Sequence, residues 1–468
     1  MNKSSLEYSD RKFIWHPFTQ MKYYALVPGT SKKEKPLIIE SGQGSFLKDI
    51  HGREYIDGVS SLWVNIHGHR RREIDNAIKS QLNKIAHSTL LGLANVPSAE
   101  LAKKLVKIAP KGLKKVFYSD NGSTAVEISL KIAFQYWQNK RVKKTKFISM
   151  ENAYHGDTIG SVSAGGIELF HKKFGPLLFN TYKAPSYYCF RCKFITEKER
   201  RNIKFQKSPF FIDRPACNWD CVEKLKDIIR RNRDKIAGFI LEPMVQAAGG
   251  IIVSPKGYLS EVQKLCRKYD IILILDEVAT GFGRTGRMFA CNHEKVTPDI
   301  LTLAKGITGG YLPLAATLTT LKIYNAFLGS YEEEKTFFHG HSYTGNQLAC
   351  SASLANLEIF DKEKTIEKLQ EKIRVLHEEL KKFTELKHMG NIRQCGFIAG
   401  IELIDGTKKM LPLGKETVIK LCYRMRDHGL ITRPLGNVLV IFPALSISIS
   451  DLKKMLNTIA TQIKCIGY

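Results

Sequence analysis

The sequence predicts an α/β protein with a mainly parallel sheet flanked by helices and a second, smaller α+β domain. Through the middle of the chain, short apolar runs alternate with amphipathic stretches, which is typical of strand–helix–strand units. Beyond about residue 340 the pattern changes to long charged helices and short strands. A chain of 468 residues has room for two or three domains. Its 43% hydrophobic and 25% charged residues exclude a wholly disordered chain.

The predicted elements follow in order from these patterns. The predicted segments are an N-terminal piece, 1–75, that packs beside the small domain, a large domain, 76–335, and the small domain, 336–468. Strands of the large domain are predicted at 115–118, 146–149, 237–241, 271–275 and 300–303. Val126, Leu130, Ala133 and Trp137 share one helix face, and 261–269 is another helical stretch. In the small domain, helices are predicted over 362–386, and strands near 393–403 and 438–442.

The charge balance narrows the possible partners. The net charge is +27, which suggests either a nucleic-acid ligand or an ordinary lysine-rich surface. The basic residues are spread along the chain without a known nucleic-acid motif, so we predict no nucleic-acid partner. No apolar run approaches the ~18 residues of a membrane span, and the first residues do not resemble a secretory signal. We therefore expect a cytoplasmic protein without a membrane partner.

A small-residue turn, 120–124, follows the first strand of the large domain and opens a helix. Thr124 and Glu127 fit a Thr-x-x-Glu capping box. A helix N-terminus presents free N–H groups and a positive dipole end, which suit a phosphate. Taken alone, the turn also fits an ordinary strand–helix junction.

Two further candidates follow apolar strands. Asp276 ends the run 271–275, and Lys305 follows the strand 300–303. In parallel sheets, ligands bind beyond the carboxyl ends of the strands. Alone, the acid fits a helix cap and the lysine a solvated side chain. Together with the turn, they supply the phosphate cradle, the anion for the ring nitrogen and the amine that pyridoxal phosphate needs.

These residues belong to a longer series of motifs, in which the chain resembles the class III aminotransferases, a fold-type I family that uses pyridoxal phosphate. The resemblance runs from Ile14 to the C-terminus. Its motifs are WHPFTQM (15–21), DGVSSLWVNIHGH (57–69), DNGSTAVE (120–127), AYHGDT (153–158), LDEVATGFGRTGRMFAC (275–291), LAKGITGG (303–310), HGHSYTGN (339–346) and TRPLG (432–436). Several motifs in order are far more specific than any one of them.

The resemblance implies how the cofactor is held. Lys305 would carry the cofactor aldehyde and move a proton on the substrate, and Asp276 would pair with the ring nitrogen. Gly122 and Ser123 would bind the phosphate. A further part of the phosphate site, His341 and Ser342, would come from the other subunit, so the resemblance implies a homodimer with shared sites.

The resemblance also implies a substrate pocket. Tyr154 would stack near the cofactor, Trp63 would form an apolar wall for a long acceptor, and Arg433 would bind its carboxylate through a two-pronged contact. The other residues implied for this region are Phe18, Gly340, Arg284 and, as a positioning group, Glu242.

Within the family, the motifs resemble the branch that aminates 8-amino-7-oxononanoate in biotin biosynthesis. The implied amino donor is S-adenosylmethionine. Lysine is an alternative, because Phe18 stands where enzymes that use S-adenosylmethionine usually have tyrosine and because His341-Ser342 replaces their usual Pro-Thr. A related aminotransferase for another amine, or a basic interaction protein on a degenerate enzyme fold, are the remaining alternatives.

Four of the ten cysteines form two close pairs. Two residues separate Cys189 from Cys192, and three separate Cys217 from Cys221, within a segment that resembles a surface insertion, 186–222. The spacing fits a structural zinc site. The alternative is four thiols without a ligand, and we assign no metal to the active site.

Overall fold

A computed structural model describes residues 2–26, 34–215, 217–407 and 409–466 of the chain. The strands are β1 (Ile39–Gln43), β2 (Phe46–Asp49), β3 (Glu54–Asp57), β4 (Leu113–Ser119), β5 (Lys146–Met150), β6 (Tyr182–Ala184), β7 (Ile236–Leu241), β8 (Val245–Gln246), β9 (Ile252–Val253), β10 (Ile272–Asp276), β11 (Ile300–Leu303), β12 (Ala315–Thr320), β13 (Met389–Cys395), β14 (Ile398–Leu403), β15 (Leu430–Ile431), β16 (Pro434–Leu435) and β17 (Val438–Ile441). The helices are α1 (Lys3–Phe13), α2 (Ser60–Trp63), α3 (Arg72–Leu82), α4 (Val96–Ile108), α5 (Gly122–Asn139), α6 (Ile159–Ala164), α7 (Glu168–His171), α8 (Glu197–Asn202), α9 (Asp220–Asn232), α10 (Tyr258–Lys268), α11 (Leu321–Asn325), α12 (Gln347–Glu363), α13 (Thr365–Lys382), α14 (Lys415–Asp427) and α15 (Ile449–Lys464).

The central sheet has seven strands in the order β4, β12, β11, β10, β7, β5, β6. β12 runs antiparallel to both of its neighbours, and the strands from β11 to β6 pair in parallel. The predicted α/β class with a mainly parallel sheet is therefore confirmed. All five strands predicted for the large domain are present: β4, β5 and β7 are one to three residues longer than predicted, β10 is shifted by one residue, and β11 has the predicted bounds. The strands β6 and β12 were not predicted.

The register of two strands positions the candidate chemistry. Every residue of β10 and β11 is buried, as expected for parallel strands covered on both faces. Asp276, the last residue of β10, pairs with Thr302 of β11. Lys305 follows β11 by two residues, so both side chains emerge at the same edge of the sheet.

The helix α5 begins differently from the prediction. Its N-cap is Asn121, whose side chain accepts a hydrogen bond from the Thr124 N–H at 3.1 Å, while the Thr124 hydroxyl accepts from the Asn121 N–H at 3.2 Å. The Thr124–Glu127 capping box is therefore wrong. Glu127 instead accepts hydrogen bonds from the Thr158 hydroxyl and the Gly160 N–H.

The two ends of the chain meet in a small sheet. The strands β1, β2, β3 and β15 lie in that order, and β15 near the C-terminus pairs in parallel with β3 near the N-terminus. A second sheet has the order β13, β14, β17, β16. The strands near 393–403 and 438–442 are thus confirmed. The charged stretch 362–386 falls largely on α13.

The predicted surface insertion, 186–222, is anchored on the second sheet, which the sequence did not indicate. Phe190 is fully buried. The Tyr188 hydroxyl donates to Glu402 of β14, and the Arg191 guanidinium lies 2.6 Å from the same carboxylate. Phe205 forms a bridge with Ile392 of β13. Buried ionic and backbone contacts therefore hold this segment.

The four cysteines of the insertion lie in one neighbourhood as free thiols. Burial, together with the nearby thiols of Cys221, Cys192 and Cys217, raises the pKa of Cys189 to about 12. Among the described residues, no three His, Cys, Asp or Glu side chains are arranged to hold a metal ion. The geometry of the described residues therefore gives no support to the predicted structural zinc site.

Among the residues that the structure describes, no helix is both long enough and apolar enough to cross a bilayer.

Candidate active site

A cavity of about 670 Å³ opens at the carboxyl ends of β10 and β11 and at the N-terminus of α5. Six of the sequence-predicted site residues line it: Trp63, Gly122, Ser123, Tyr154, Asp276 and Lys305. Glu242, predicted as a positioning group, lines it as well. The structure therefore brings together groups that are spread over more than half of the chain.

Asp276 is a buried carboxylate with several partners. Its Oδ2 lies 2.7 Å from His155 Nδ1, and its Oδ1 accepts a hydrogen bond from the Val278 N–H at 3.1 Å. The Thr302 hydroxyl donates to Oδ1 at 3.4 Å. Because a buried charge needs such partners, these contacts fix the carboxylate in one orientation at the cavity wall.

Lys305 begins a short 3₁₀ turn directly beyond β11. Burial lowers the pKa of its amine to about 8, although the carboxylates of Asp276 and Glu242 oppose this shift. The following loop is held by Asn356, whose side-chain amide donates to the carbonyl oxygens of Gly306 and Ile307 at 3.0 Å. A lysine with a lowered pKa has more of its amine unprotonated near neutral pH and is a better nucleophile.

The start of α5 forms a close-fitting cradle. A Cβ on Gly122 would lie 2.7 Å from a methyl group of Val278, and one on Gly156 would lie 1.9 Å from Ser123 Oγ. The Ser123 hydroxyl accepts a hydrogen bond from the Asp157 N–H at 3.0 Å. Glycine at these two positions leaves the helix N-terminus open to the cavity, where an anion would meet free N–H groups.

Tyr154 and Glu242 are joined by a hydrogen bond at the cavity. The Tyr154 N–H donates to Glu242 Oε1 at 3.0 Å, and the Ala247 N–H donates to Oε2 at 2.9 Å. Burial, with the nearby charge of Asp276, raises the pKa of Glu242 to about 8. The Tyr154 hydroxyl donates to Asp157 at 2.8 Å, and burial raises its pKa.

Trp63 lies between the amine and a buried aromatic ring. Lys305 Nζ is 4.6 Å from the centroid of the Trp63 ring, and that ring stacks on Phe442 at 5.3 Å. This contact supplies an apolar wall beside the amine.

Arg284 differs from the expectation that it lines the substrate region. Its side chain is 1% exposed, and its guanidinium donates to the carbonyl oxygens of Pro443 and Asn65 at 2.6 Å. It lies over the Phe442 ring at 4.5 Å, behind the wall rather than in the cavity. The motif could not show this, because the acceptors come from distant segments.

Phe18 and Arg433 lie outside the cavity lining, and each is related to Tyr154 in a different way. The Phe18 ring meets the Phe170 ring edge-on at 5.9 Å, and Phe170 lies 5.6 Å from Tyr154. Burial lowers the pKa of Arg433, and Tyr154 is among the groups whose charge acts on it. Phe170 therefore connects the N-terminal segment to the predicted pocket.

Gly340, His341 and Ser342 are not brought to this cavity by their own chain. Gly340 and Ser342 are exposed, and the Ser342 carbonyl oxygen accepts a hydrogen bond from His87 Nε2 at 2.7 Å. The Nε2 atom of His341 is buried without a hydrogen-bond partner among the described residues.

Sequence reasoning missed two residues of the site. His155 lies directly after Tyr154 in AYHGDT and could have been chosen as a partner for a buried acid. Phe170 follows no motif, and only the fold reveals its contacts with Phe18 and Tyr154.

An amine, a fixed carboxylate and an open helix N-terminus thus line one cavity, and this set fits pyridoxal phosphate. The arrangement, on a mainly parallel sheet, defines a pyridoxal-phosphate enzyme of fold type I. The family model "Aminotransferase class-III" matches residues 29–463. The chain therefore belongs to the class III aminotransferases, which depend on pyridoxal phosphate.

Known relatives and solved structures are similar to this chain over nearly its whole length. The adenosylmethionine-8-amino-7-oxononanoate aminotransferase of Aquifex aeolicus is 50% identical over 99% of this chain and 98% of its own length. The solved structure of the enzyme of that name from Methanocaldococcus jannaschii has a TM-score of 0.90 at 46% identity, covering 99% of each chain. An amine transaminase from an uncultivated Pseudomonas species, solved in its PLP-bound form, has a TM-score of 0.86 at 31% identity, covering 97% of this chain and 99% of that one.

Proposed function

We propose that this aminotransferase moves an amino group onto the keto group of 8-amino-7-oxononanoate, giving 7,8-diaminononanoate. The observation that carries the proposal is the apolar face of Trp63, which lies 4.6 Å from the amine of Lys305. Relatives that match nearly the whole chain are named adenosylmethionine-8-amino-7-oxononanoate aminotransferase. A long apolar acceptor suits such a wall. In this proposal the enzyme acts on small molecules in the cytoplasm and has no nucleic-acid or membrane partner.

Each residue has a definite task. Pyridoxal phosphate, when bound, supplies an aldehyde and an electron-withdrawing ring. Lys305 Nζ would hold the cofactor through its aldehyde and would move a proton at the substrate carbon that bears nitrogen. Asp276, oriented by His155 at 2.7 Å, would keep positive charge on the ring nitrogen. Gly122 and Ser123 would hold the phosphate at the helix N-terminus.

The substrate is held by a second set of residues. Arg433 binds the acceptor carboxylate through two parallel hydrogen bonds, which a guanidinium forms better than an ammonium. Tyr154 would stack near the cofactor ring, and Glu242 accepts a hydrogen bond from the Tyr154 N–H at 3.0 Å. Phe18 would border the entrance through its contact with Phe170, and Gly340 would reach it from the partner subunit together with His341 and Ser342.

The amino donor in this proposal is S-adenosylmethionine, as in the names of the relatives. L-lysine is the second candidate, favoured by one observation. The Phe18 ring lacks a hydroxyl and packs against Phe170, so that segment offers a donor an apolar contact.

One experiment separates the donors and tests the acceptor. The purified, PLP-loaded enzyme is incubated with 8-amino-7-oxononanoate and with either S-adenosylmethionine or L-lysine, and 7,8-diaminononanoate is measured by mass spectrometry. We expect product with S-adenosylmethionine. Product with lysine alone would overturn the donor, and product with neither, in an enzyme that aminates other ketones, would overturn the acceptor.

We also propose that the enzyme is a homodimer in which His341 and Ser342 complete the phosphate site of the partner. The exposed position of Ser342 supports this, as does the neighbouring Phe338, whose ring is 80% exposed. A mixture of Lys305→Ala and Ser342→Asp chains tests it. Shared sites predict that mixed dimers regain activity, because one site then has both residues intact, whereas sites made within one chain predict none.

A further inference from the structure

The residues that carry Trp63 to the cavity form a strained turn. Four consecutive residues, Ser60, Ser61, Leu62 and Trp63, have φ values of 50°, 49°, 73° and 73°. This left-handed conformation costs roughly 1–2 kcal/mol per residue for an L-amino acid with a side chain. Such a turn persists only where the surroundings hold it.

Asp57 is the main support of this left-handed turn. Its Oδ1 accepts a hydrogen bond from the Ser61 N–H at 3.0 Å, and its Oδ2 accepts from the Ser61 hydroxyl at 3.0 Å. His69 Nε2 lies 3.1 Å from the same Oδ2. The carboxylate is 3% exposed. A second contact, from the Ser60 hydroxyl to the Phe442 carbonyl oxygen at 2.6 Å, ties the turn to the C-terminal sheet.

The left-handed turn decides what the Trp63 ring touches. With φ at 73°, the side chain leaves the backbone in a direction that a right-handed turn would not give. The ring lies 4.6 Å from Lys305 Nζ on one side and stacks on Phe442 on the other. An aromatic face near a cation stabilises its positive charge.

We propose that Asp57 is a positioning residue that tunes the reactive amine of Lys305 through the left-handed turn and the Trp63 ring. Among the described residues, no hydrogen bond or ion pair joins Asp57 to the amine, and a double variant with Trp63 separates the route through the indole from the charge that Asp57 exerts on Arg284. The proposal rests on the proposed role of Lys305 as the residue that carries the cofactor, but not on which acceptor or donor is used.

The test measures the pH midpoint of the visible absorption of the PLP-loaded protein, which needs no substrate. The other charged groups acting on Lys305 are Asp276, Glu242 and Arg284, and they stay unchanged. We expect Trp63→Leu to lower the midpoint by about half a pH unit, because it removes the aromatic face. Asp57→Asn is expected to lower it similarly, and the double variant no further than Trp63→Leu alone.

Asp49→Asn is the matched control, because Asp49 is a buried aspartate of the same small sheet, hydrogen-bonded to the Tyr55 hydroxyl at 2.8 Å. It is expected to lower the unfolding temperature and leave the midpoint unchanged. The proposal is overturned if Asp57→Asn behaves like this control, or if its effect adds in full to that of Trp63→Leu. Should Asp57→Asn fail to fold, His69→Gln weakens the same support and is read in the same way. Loss of the proposed reaction with an intact midpoint pattern would reject the function and retain this inference.

Discussion

The two walls of the cavity are built in different ways. On one wall, Asp276 and Lys305 stand at the carboxyl ends of two paired strands, at the same edge of the sheet. On the other, Trp63 is presented by a left-handed turn without glycine, supported by Asp57 and tied to Phe442 near the C-terminus. The first wall follows from local strand rules and carries the reaction chemistry. The second depends on contacts between distant segments and shapes what can bind.

The largest expected effect belongs to the strand-end wall. Lys305→Ala should lower amino transfer by at least about 10⁴-fold, because no other amine lines the cavity among the described residues. Turnover is measured with the proposed substrates. Lys183→Met is the matched control, since Lys183 is also a lysine whose pKa burial lowers to about 8, but it donates to Ser149 Oγ at 2.7 Å away from the cavity. Equal losses in both variants would contradict the assignment.

The second prediction concerns the carboxylate at the same wall. Asp276→Asn should lower kcat by roughly 10²–10³-fold, because a neutral amide no longer holds positive charge on the cofactor ring. Asp299→Asn serves for comparison, since Asp299 accepts a hydrogen bond from the Leu273 N–H at 2.9 Å at the opposite end of the strand. A kcat for Asp276→Asn within about threefold of this control would refute the role, given the size expected for a charge in the transition state.

The substrate wall should respond through binding rather than chemistry. Arg433→Lys should raise the acceptor KM about tenfold with a smaller change in kcat, because a lysine cannot form the two parallel hydrogen bonds. Arg284→Lys, by contrast, should lower the free energy of unfolding, since Arg284 supports backbone carbonyls behind the wall. Steady-state kinetics and urea unfolding of both variants check this. If Arg284→Lys alone changed the acceptor KM, the places of the two arginines would be reversed.

The difference between the two walls also explains which site residues can be predicted from the sequence and which cannot. Asp276, Lys305 and Gly122 were predictable, because each follows a recognisable apolar strand. The helix cap at Asn121 was missed, since Glu127 is engaged by Thr158 and Gly160 of a later segment. The burial of Arg284 and the handedness of the turn at Trp63 were unpredictable for a related reason. Their partners lie far along the chain, and no glycine marks the turn.

The fourth prediction concerns the effect of Glu242 on how the free energy of unfolding depends on pH. Burial and the charge of Asp276 raise the pKa of the Glu242 carboxyl from its ordinary value of 4.5 to about 8 in the folded, cofactor-free chain. Between these two pH values, the folded chain therefore binds one more proton than the unfolded chain. Stability should therefore fall as pH rises through that window, by at most about 1.4 kcal/mol per unit. Lys305, with a pKa lowered from 10.5 to about 8, makes stability depend on pH only above about pH 8, where the free energy of unfolding rises towards pH 10.5.

Glu242→Gln isolates this contribution, because the amide keeps an acceptor and cannot ionise. Urea unfolding of the cofactor-free protein from about pH 5 to 8 should give a flatter profile for the variant than for the wild type. Parallel profiles would show that Glu242 does not titrate in this range.

The smallest expected effect concerns backbone strain on the substrate wall. Leu62 is 42% exposed with φ at 73°, so Leu62→Gly should relieve strain and raise the free energy of unfolding by about 0.5 kcal/mol after the entropy of glycine is counted. Chemical unfolding measures it, with Leu91→Gly as a control at an exposed position. A loss of stability equal to that of the control would mean that the turn is not strained.

The most direct test of the whole account is chemical. The PLP-loaded protein is reduced with borohydride, digested and mapped by mass spectrometry to locate the attached cofactor. We expect a pyridoxyl group on the peptide that contains Lys305 and on no other lysine. Attachment at Lys183 or at a surface lysine, with Lys305 unmodified, would contradict it.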